Sequence, residues 1–132
     1  MDLEILKIAS DTSNNKDIKK YTHFSKSKNP ICGDEVCIKL LIDKEKIKDF
    51  SYQGNSCVYC QASASLLSKN LINYNKNKVN ELCDFAKNYF EKRNEKFEKK
   101  WNFLKKLFKK KNFSRKECIL LPFNALKKIV TQ

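Results

Sequence analysis

The chain has 132 residues, of which 41% are hydrophobic and 11% aromatic, enough to fill the core of one domain. This composition argues against a chain that is disordered throughout, and no apolar run is long enough to cross a bilayer. The net charge is +13, which by itself suggests a nucleic-acid partner. Because no nucleic-acid-binding motif accompanies the charge, we expect basic faces that are simply solvated.

The N-terminal region does not predict a signal peptide, and its short apolar start, with Leu3, Ile5 and Ile8, suits one helical turn before a loop at 10–17. Asp2 and Glu4 replace the basic start that a signal peptide requires, so we expect a cytoplasmic protein. In that reducing compartment the six cysteines are expected to be free thiols or metal ligands. Residues 1–28 predict an N-terminal segment that is partly loop, with the main domain at 29–132. His23, the only histidine, is expected to be a loop residue rather than a ligand.

A tight turn followed by a β-hairpin is predicted next. Residues 29–34, N-P-I-C-G-D, contain Gly33, one of only two glycines in the chain. Beyond this turn the apolar residues alternate, as they do in a half-buried strand: Val36, Ile38, Leu40 and Ile42. The polar run at 43–46 predicts a turn, and a second strand follows with Phe50 and Tyr52 on one side.

Two helices are predicted after the hairpin. The small residues at 62–65 predict a helix that starts near Cys57 and packs tightly against the sheet. A second helix is predicted from about Val79, because apolar residues recur there with helical spacing: Val79, Leu82, Cys83, Ala86, Tyr89 and Phe90. Cys83 lies in that apolar stripe and is expected in the core.

Two further helical segments complete the chain. Residues 96–111 combine lysines with aromatic residues at helical intervals and predict a basic amphipathic helix. We expect it to pack on its own domain, although such a helix also suits a membrane surface or a partner. Residues 114–130 predict a terminal helix with Cys118 near its start. Pro122 is compatible with this helix only in its first turn or as a kink.

The order of these elements predicts an α+β domain, in which a small antiparallel sheet built on a hairpin carries helices on one side. Cys32, Cys57 and Cys118 lie at the ends of predicted elements instead of within apolar stripes, and Asp34 shares the turn of Cys32. Loops at one edge of a sheet converge readily, and helix starts stabilise thiolates. Three thiolates and one carboxylate suit zinc or an iron–sulfur cluster. The spacing of these four residues alone does not establish a metal site, because no C-x-x-C pair links two of them. The one C-x-x-C pair in the chain joins Cys57 to Cys60.

The motifs N-P-I-C-G-D, Q-G-N-S-C-V-Y-C-Q-A-S-A-S and R-K-E-C-I-L-L-P-F-N-A-L, in this order around a hairpin, resemble the IscU/SufU/NifU-type iron–sulfur assembly scaffolds. The resemblance covers approximately residues 20–130 and implies an IscU/SufE-like fold. It makes residues 29–132 the scaffold domain. It also implies a set of four ligands for a cluster or a metal ion: Cys32, Asp34, Cys57 and Cys118.

Details of the motifs are similar to the SufU branch, whose members bind zinc and relay sulfur from a cysteine desulfurase. The gap from Cys57 to Cys118 is long, and Arg115 stands three residues before the last cysteine. The chain departs from the family pattern at Ser56, where the family has glycine, and at Glu117, where the IscU branch has histidine. Both departures lie beside expected ligands.

The resemblance implies a scaffold, not itself an enzyme, that binds a nascent iron–sulfur cluster of the 2Fe-2S type, or iron or zinc. Its expected partners are a cysteine desulfurase and iron–sulfur acceptor proteins, with no membrane and no nucleic acid. The alternative is a zinc-dependent sulfurtransferase that accepts persulfide sulfur on Cys32 or Cys118, with Cys60 as an optional extra acceptor. The residues at 96–111 leave a third alternative, a basic nucleic-acid or membrane interaction module.

Overall fold

A computed structural model describes residues 2–92 and 96–131. The helices and strands follow the chain in an α+β order: α1 (Leu3–Ala9), β1 (His23–Lys28), β2 (Glu35–Asp43), β3 (Lys46–Asn55), α2 (Val58–Asn70), α3 (Lys76–Lys92) and α4 (Lys116–Val130). Between α3 and α4 lie two 3₁₀ segments, Lys99–Leu104 and Lys110–Arg115. Within the described ranges no helix combines the length and the apolar character needed to cross a bilayer.

The sheet is antiparallel, with its three strands in chain order, and the predicted hairpin forms β2 and β3. Lys44 and Glu45 make the two-residue turn with φ angles of 51° and 67°. Positive φ at both positions gives the turn a twist that matches the flanking strands. The alternating residues of β2 and β3 form the buried face, as predicted: Val36, Ile38, Leu40, Phe50 and Tyr52.

β1 is a strand that the sequence did not predict, since these residues were expected to be loop. Its inward positions are Ser25 and Ser27, each 5% exposed, and its outward positions include Lys26 and Lys28. Because the inward face is polar, no apolar alternation marks the strand. Pairing with β2 and burial beneath α4 determine its structure.

The helices lie on one side of the sheet, as predicted. α4 contacts β1 and β2, α2 contacts β3, and α3 packs on α4. α1 packs on α2 and contributes Ile5 and Ala9 to the core, so residues 1–28 share the core of the rest of the chain. The division into an N-terminal segment at 1–28 and a scaffold domain at 29–132 stays a prediction.

The prediction of an amphipathic α-helix at 96–111 is wrong, because the two 3₁₀ segments occupy this part of the chain. Trp101 and Leu104 are buried three residues apart in the first segment, as the period of a 3₁₀ helix allows, and Leu107 is buried beyond its end. Trp101 and Phe108 pack against Phe85 of α3. The expected packing of this segment on its own domain is therefore confirmed.

α4 begins at Lys116, so Pro122 lies inside the helix at its seventh position and is buried. The terminal helix is confirmed, and Cys118 is its third residue. Proline has no backbone N–H, so the carbonyl of Cys118, four residues earlier, lacks the donor that an ordinary helix would supply. The turn that carries Cys118 is therefore less well held by its own backbone.

Candidate metal centre

The turn at 29–34 carries Cys32 and Asp34, which differ in their exposure to solvent. Gly33 adopts a φ of 80°, a conformation that glycine accepts without strain. The Gly33 N–H donates to the Asn29 carbonyl at 2.8 Å, and the Asn29 N–H donates to the Asp34 carbonyl at 2.8 Å. This closed turn leaves Cys32 exposed and Asp34 half-buried.

Cys57 is held at the start of α2, immediately after the hairpin. It is the N-cap residue of α2, and its backbone N–H donates to Asp34 Oδ2 at 3.0 Å. Gly54 allows β3 to lie close to β2 here, because a Cβ at this position would stand 2.1 Å from the Glu35 carbonyl oxygen. The Asp34 carboxylate therefore sits at the positive end of α2, where the helix dipole favours its charge.

Asp34, Cys57 and Cys118 meet in one half-buried group. Their ligand atoms all lie within 4.8 Å of one another. Ligands of one tetrahedral zinc ion are about 3.3–3.8 Å apart, so a small movement brings these atoms to coordinating distance. In the part of the chain that the structure describes, no other group of three cysteine, histidine or acidic ligands is this close.

Cys32 is the predicted ligand that the structure does not bring into this group. It stands on the turn two residues from Asp34, and its thiol is exposed to solvent. Its charge still acts on Cys118, where it is among the causes of a raised pKa. The four residues therefore form a half-buried set of three with one exposed thiol outside it.

Burial raises the pKa of the Cys118 thiol to about 12, and a hydrogen bond with Cys57 and the charges of Cys57, Asp34 and Cys32 act in the same direction. Cys118 is thus a protonated thiol at neutral pH when no cation is present. A bound cation reverses this balance, because a metal ion deprotonates the thiol that coordinates it.

The remaining cysteines and the histidine lie elsewhere. Cys60 is fully buried, so a partner enzyme could not reach its thiol, which argues against a role as extra sulfur acceptor. Cys83 lies in the core, as predicted, with its thiol 3.5 Å from the Phe123 carbonyl oxygen. Cys37 is half-exposed on the outer face of the sheet. His23 belongs to β1 instead of a loop and pairs with Leu40.

Sequence reasoning missed the surroundings of Cys57. A cavity of about 360 Å³ adjoins this thiol and is lined in part by Tyr59 and Arg115. The Arg115 guanidinium lies over the Tyr59 ring, 5.4 Å from its centroid. This contact joins the end of the second 3₁₀ segment to the start of α2, and its partners are 56 positions apart in the chain, which hides it from any local pattern.

Residues 4–88, more than half of the chain, match the family described as NifU-like N terminal domain. This chain belongs to the IscU/SufU/NifU family. Its relatives in the IscU/SufU/NifU family include two proteins that are each named "iron–sulfur cluster assembly scaffold protein IscU". The one from Streptococcus pyogenes serotype M1 is 27% identical over 103 residues, which are 77% of this chain and 65% of that protein. The one from Thermotoga maritima is 31% identical over 108 residues, 80% of this chain and 75% of that protein.

Solved structures agree with this family membership. A NifU-like protein (N-terminal) from Brucella abortus superposes with a TM-score of 0.88 at 18% identity, covering 98% of this chain and 91% of its own, and supports the fold alone. A protein from Fervidobacterium islandicum, named as an iron–sulfur cluster assembly scaffold for the SUF system, superposes with a TM-score of 0.90 at 26% identity. That superposition covers 98% of this chain and 96% of the other. The IscU/SufU/NifU resemblance found in the motifs is confirmed.

Proposed function

We propose that this protein is a scaffold on which an iron–sulfur cluster is assembled and from which the cluster passes to acceptor proteins. The nascent cluster, of the 2Fe-2S type, is cargo, bound by Cys32, Asp34, Cys57 and Cys118. The observation that carries the proposal is the meeting of Asp34, Cys57 and Cys118 within 4.8 Å in a chain of the IscU/SufU/NifU family. We further propose that the protein works in the cytoplasm.

The chemistry of the donor set supports both assembly and release. Three thiolates are soft ligands that hold iron or zinc well, whereas the Asp34 carboxylate is a harder and weaker ligand for these ions. Asp34 also has an alternative partner, because its Oδ2 already accepts the Cys57 N–H at 3.0 Å. A carboxylate that leaves the cluster therefore keeps a charge-assisted hydrogen bond, which lowers the cost of release.

Sulfur delivery requires a thiol that a partner enzyme can reach. We propose Cys32 as the first candidate, because its thiol is exposed, with the half-buried Cys118 as the second. The acceptor thiolate attacks the terminal sulfur of a persulfide on a cysteine desulfurase. A new S–S bond forms on the acceptor, the bond within the donor persulfide breaks, and the desulfurase cysteine leaves as a thiolate.

A zinc-dependent sulfurtransferase is the second candidate function, and the same exposed Cys32 favours it. In that function zinc occupies the four-ligand site, and the protein relays sulfur from the desulfurase without building a cluster. The two functions share their ligands and differ in what is bound at rest. Metal analysis therefore distinguishes them.

The experiment compares protein purified in air with protein treated anaerobically with ferrous iron and sulfide. A scaffold is expected to gain iron, sulfide and cluster absorption, and to activate an apo-acceptor protein that needs a cluster. A sulfurtransferase is expected to retain tightly bound zinc, to form no cluster and to stimulate desulfurase turnover. A protein that binds neither zinc nor a cluster would overturn both functions.

We propose no membrane or nucleic-acid function for the basic segment at 96–111. Its side chains Trp101 and Leu104 are buried in the core, each at most 2% exposed, and are not available to a membrane or partner. The lysines that remain are expected to bind DNA or anionic vesicles weakly, with binding lost at moderate salt concentration. Salt-resistant binding to either would restore the interaction-module alternative.

A further inference from the structure

The first turn of α4, which carries Cys118, lacks two kinds of local support. Its N-cap residue, Arg115, makes no side-chain hydrogen bond to the helix. Pro122 provides no N–H for the Cys118 carbonyl. The position of the Cys118 sulfur therefore depends on contacts from outside α4.

One such contact comes from α2. The Ser63 hydroxyl donates to the Ile119 carbonyl at 2.7 Å, and neither residue has any exposed surface. Ile119 directly follows Cys118, and Ser63 belongs to the helix that starts at Cys57. This buried hydrogen bond therefore connects α4, which carries Cys118, to α2, which has Cys57 as its N-cap.

The neighbouring serines of α2 have different partners. The Ser65 hydroxyl donates to the Asp11 carbonyl at 3.0 Å, and the Ser68 hydroxyl donates to the Ser65 carbonyl at 2.8 Å. Both are buried like Ser63, but neither bonds to α4. Among these three buried serines of α2, Ser63 is the one whose described hydrogen bond goes to the turn of α4 that carries Cys118.

We propose that Ser63 is a positioning residue for the metal centre, which fixes the Cys118 sulfur relative to the Cys57 sulfur through the Ile119 carbonyl. This inference rests on the proposed function in one respect, that both sulfurs bind the same ion or cluster. Hydrogen-bonding groups behind metal ligands orient them, and removing such a group typically weakens metal binding by about 10–100-fold. Ser63 does not bond to a ligand side chain. It acts through the backbone carbonyl of Ile119, the residue that follows the ligand Cys118.

The test is a titration of the reduced, metal-free protein with Co²⁺ and Zn²⁺, in which Co²⁺ reports thiolate coordination by its absorption. Ser63→Ala is expected to weaken binding of both ions by about 10-fold or more and to change the Co²⁺ spectrum. Ser65→Ala, which removes a hydroxyl of similar burial, is expected to lower the melting temperature but to leave affinity and spectrum unchanged. Equal effects of the two substitutions on metal binding would overturn the proposal.

A second pair of variants covers the case in which Ser63→Ala does not fold. Threonine and valine side chains have the same shape, so Ser63→Thr and Ser63→Val enlarge the side chain equally. Only the Thr variant keeps the hydroxyl. The Thr variant is expected to bind Co²⁺ at least about 10-fold more tightly than the Val variant. Equal affinities would overturn the role of Ser63. A parent protein without thiolate-bound Co²⁺ would instead contradict the ligand set, and with it the proposed function.

Discussion

Asp34 differs from the sulfur ligands both in its chemistry and in its contacts with the protein. Its oxygen is a hard donor among soft ones, and the Cys57 N–H holds it at 3.0 Å from the start of α2. The same carboxylate can therefore face an ion or rest on the helix. We infer that release of the cluster begins with Asp34.

Asp34→Ala is expected to keep a bound cluster for longer, because the substitution removes the ligand that leaves first. The transfer rate from the loaded variant to an apo-acceptor protein should fall about 10-fold or more, which corresponds to about 1.4 kcal/mol. Transfer is followed by the loss of cluster absorption from the scaffold. Asp43→Ala, which removes an exposed acid at the end of β2, is the control. Faster loss from Asp34→Ala than from the parent would contradict this role.

The buried Cys83 thiol makes the free energy of unfolding depend on pH in the alkaline range. Burial raises the pKa of this thiol from 9.0 to about 12, so the folded state keeps a proton that the unfolded chain releases. The stabilisation is complete below pH 9 and is lost as the pH rises towards 12. Across this window the free energy of unfolding falls by about 1.4 kcal/mol per pH unit because of this one group.

Cys83→Ala is expected to unfold more easily than the parent at neutral pH, because a buried side chain is lost. Its free energy of unfolding should nevertheless fall less steeply above pH 9 than that of the parent. Urea unfolding at several pH values measures both effects. Cys37→Ala, at a half-exposed thiol on the outer face of the sheet, is the control for removing a sulfur. Parallel pH dependence in Cys83→Ala and the parent would contradict the assignment.

At the scale of the elements, the two glycines position the ligands for two different physical reasons. Gly33 has a φ of 80° with open space around it, so a side chain there meets strain but no neighbour. At Gly54 the constraint is space, because a Cβ would lie 2.1 Å from a backbone atom of β2. The first glycine shapes the Cys32 turn, and the second keeps the end of β3, and hence Cys57, close to Asp34.

Gly54→Ala is therefore expected to be the more destabilising substitution. It should cost about 3 kcal/mol or more, because the backbones of β2 and β3 must separate. Gly33→Ala should cost only about 1–2 kcal/mol, the strain of the left-handed conformation. Chemical denaturation of both variants, with Gln53→Ala as an exposed neighbour for control, measures the difference. A larger loss in Gly33→Ala would show that the close strand approach is unimportant.

Across the whole molecule, the sequence predicted the elements whose apolar residues repeat with a clear period. The hairpin and α3 were recognisable because one face of each is apolar, as Val36 and Leu82 illustrate. β1 was missed because its inward residues are serines, and its structure depends on its neighbours. The 3₁₀ segments were read as one α-helix because intervals of three and of four residues look alike in a short aromatic-rich stretch.

Motif resemblance singled out Cys32, Asp34, Cys57 and Cys118 as candidate ligands, which stays a prediction. Nothing local in the sequence indicates that Asp34, Cys57 and Cys118 meet while Cys32 stays outside their group. Their convergence requires the sheet, α2 and α4 to pack together. The Ser63–Ile119 bond and the Arg115–Tyr59 contact were hidden for the same reason, since each joins residues 56 positions apart.

X-ray absorption spectroscopy of the zinc-loaded protein tests the ligand set most directly. Binding by Cys32, Asp34, Cys57 and Cys118 predicts three sulfur neighbours at about 2.3 Å and one oxygen neighbour at about 2.0–2.2 Å. In Asp34→Ala the protein oxygen should disappear while all three sulfurs remain. Four sulfur neighbours in the parent, or an ion bound by oxygen and nitrogen alone, would contradict the site described for this fold.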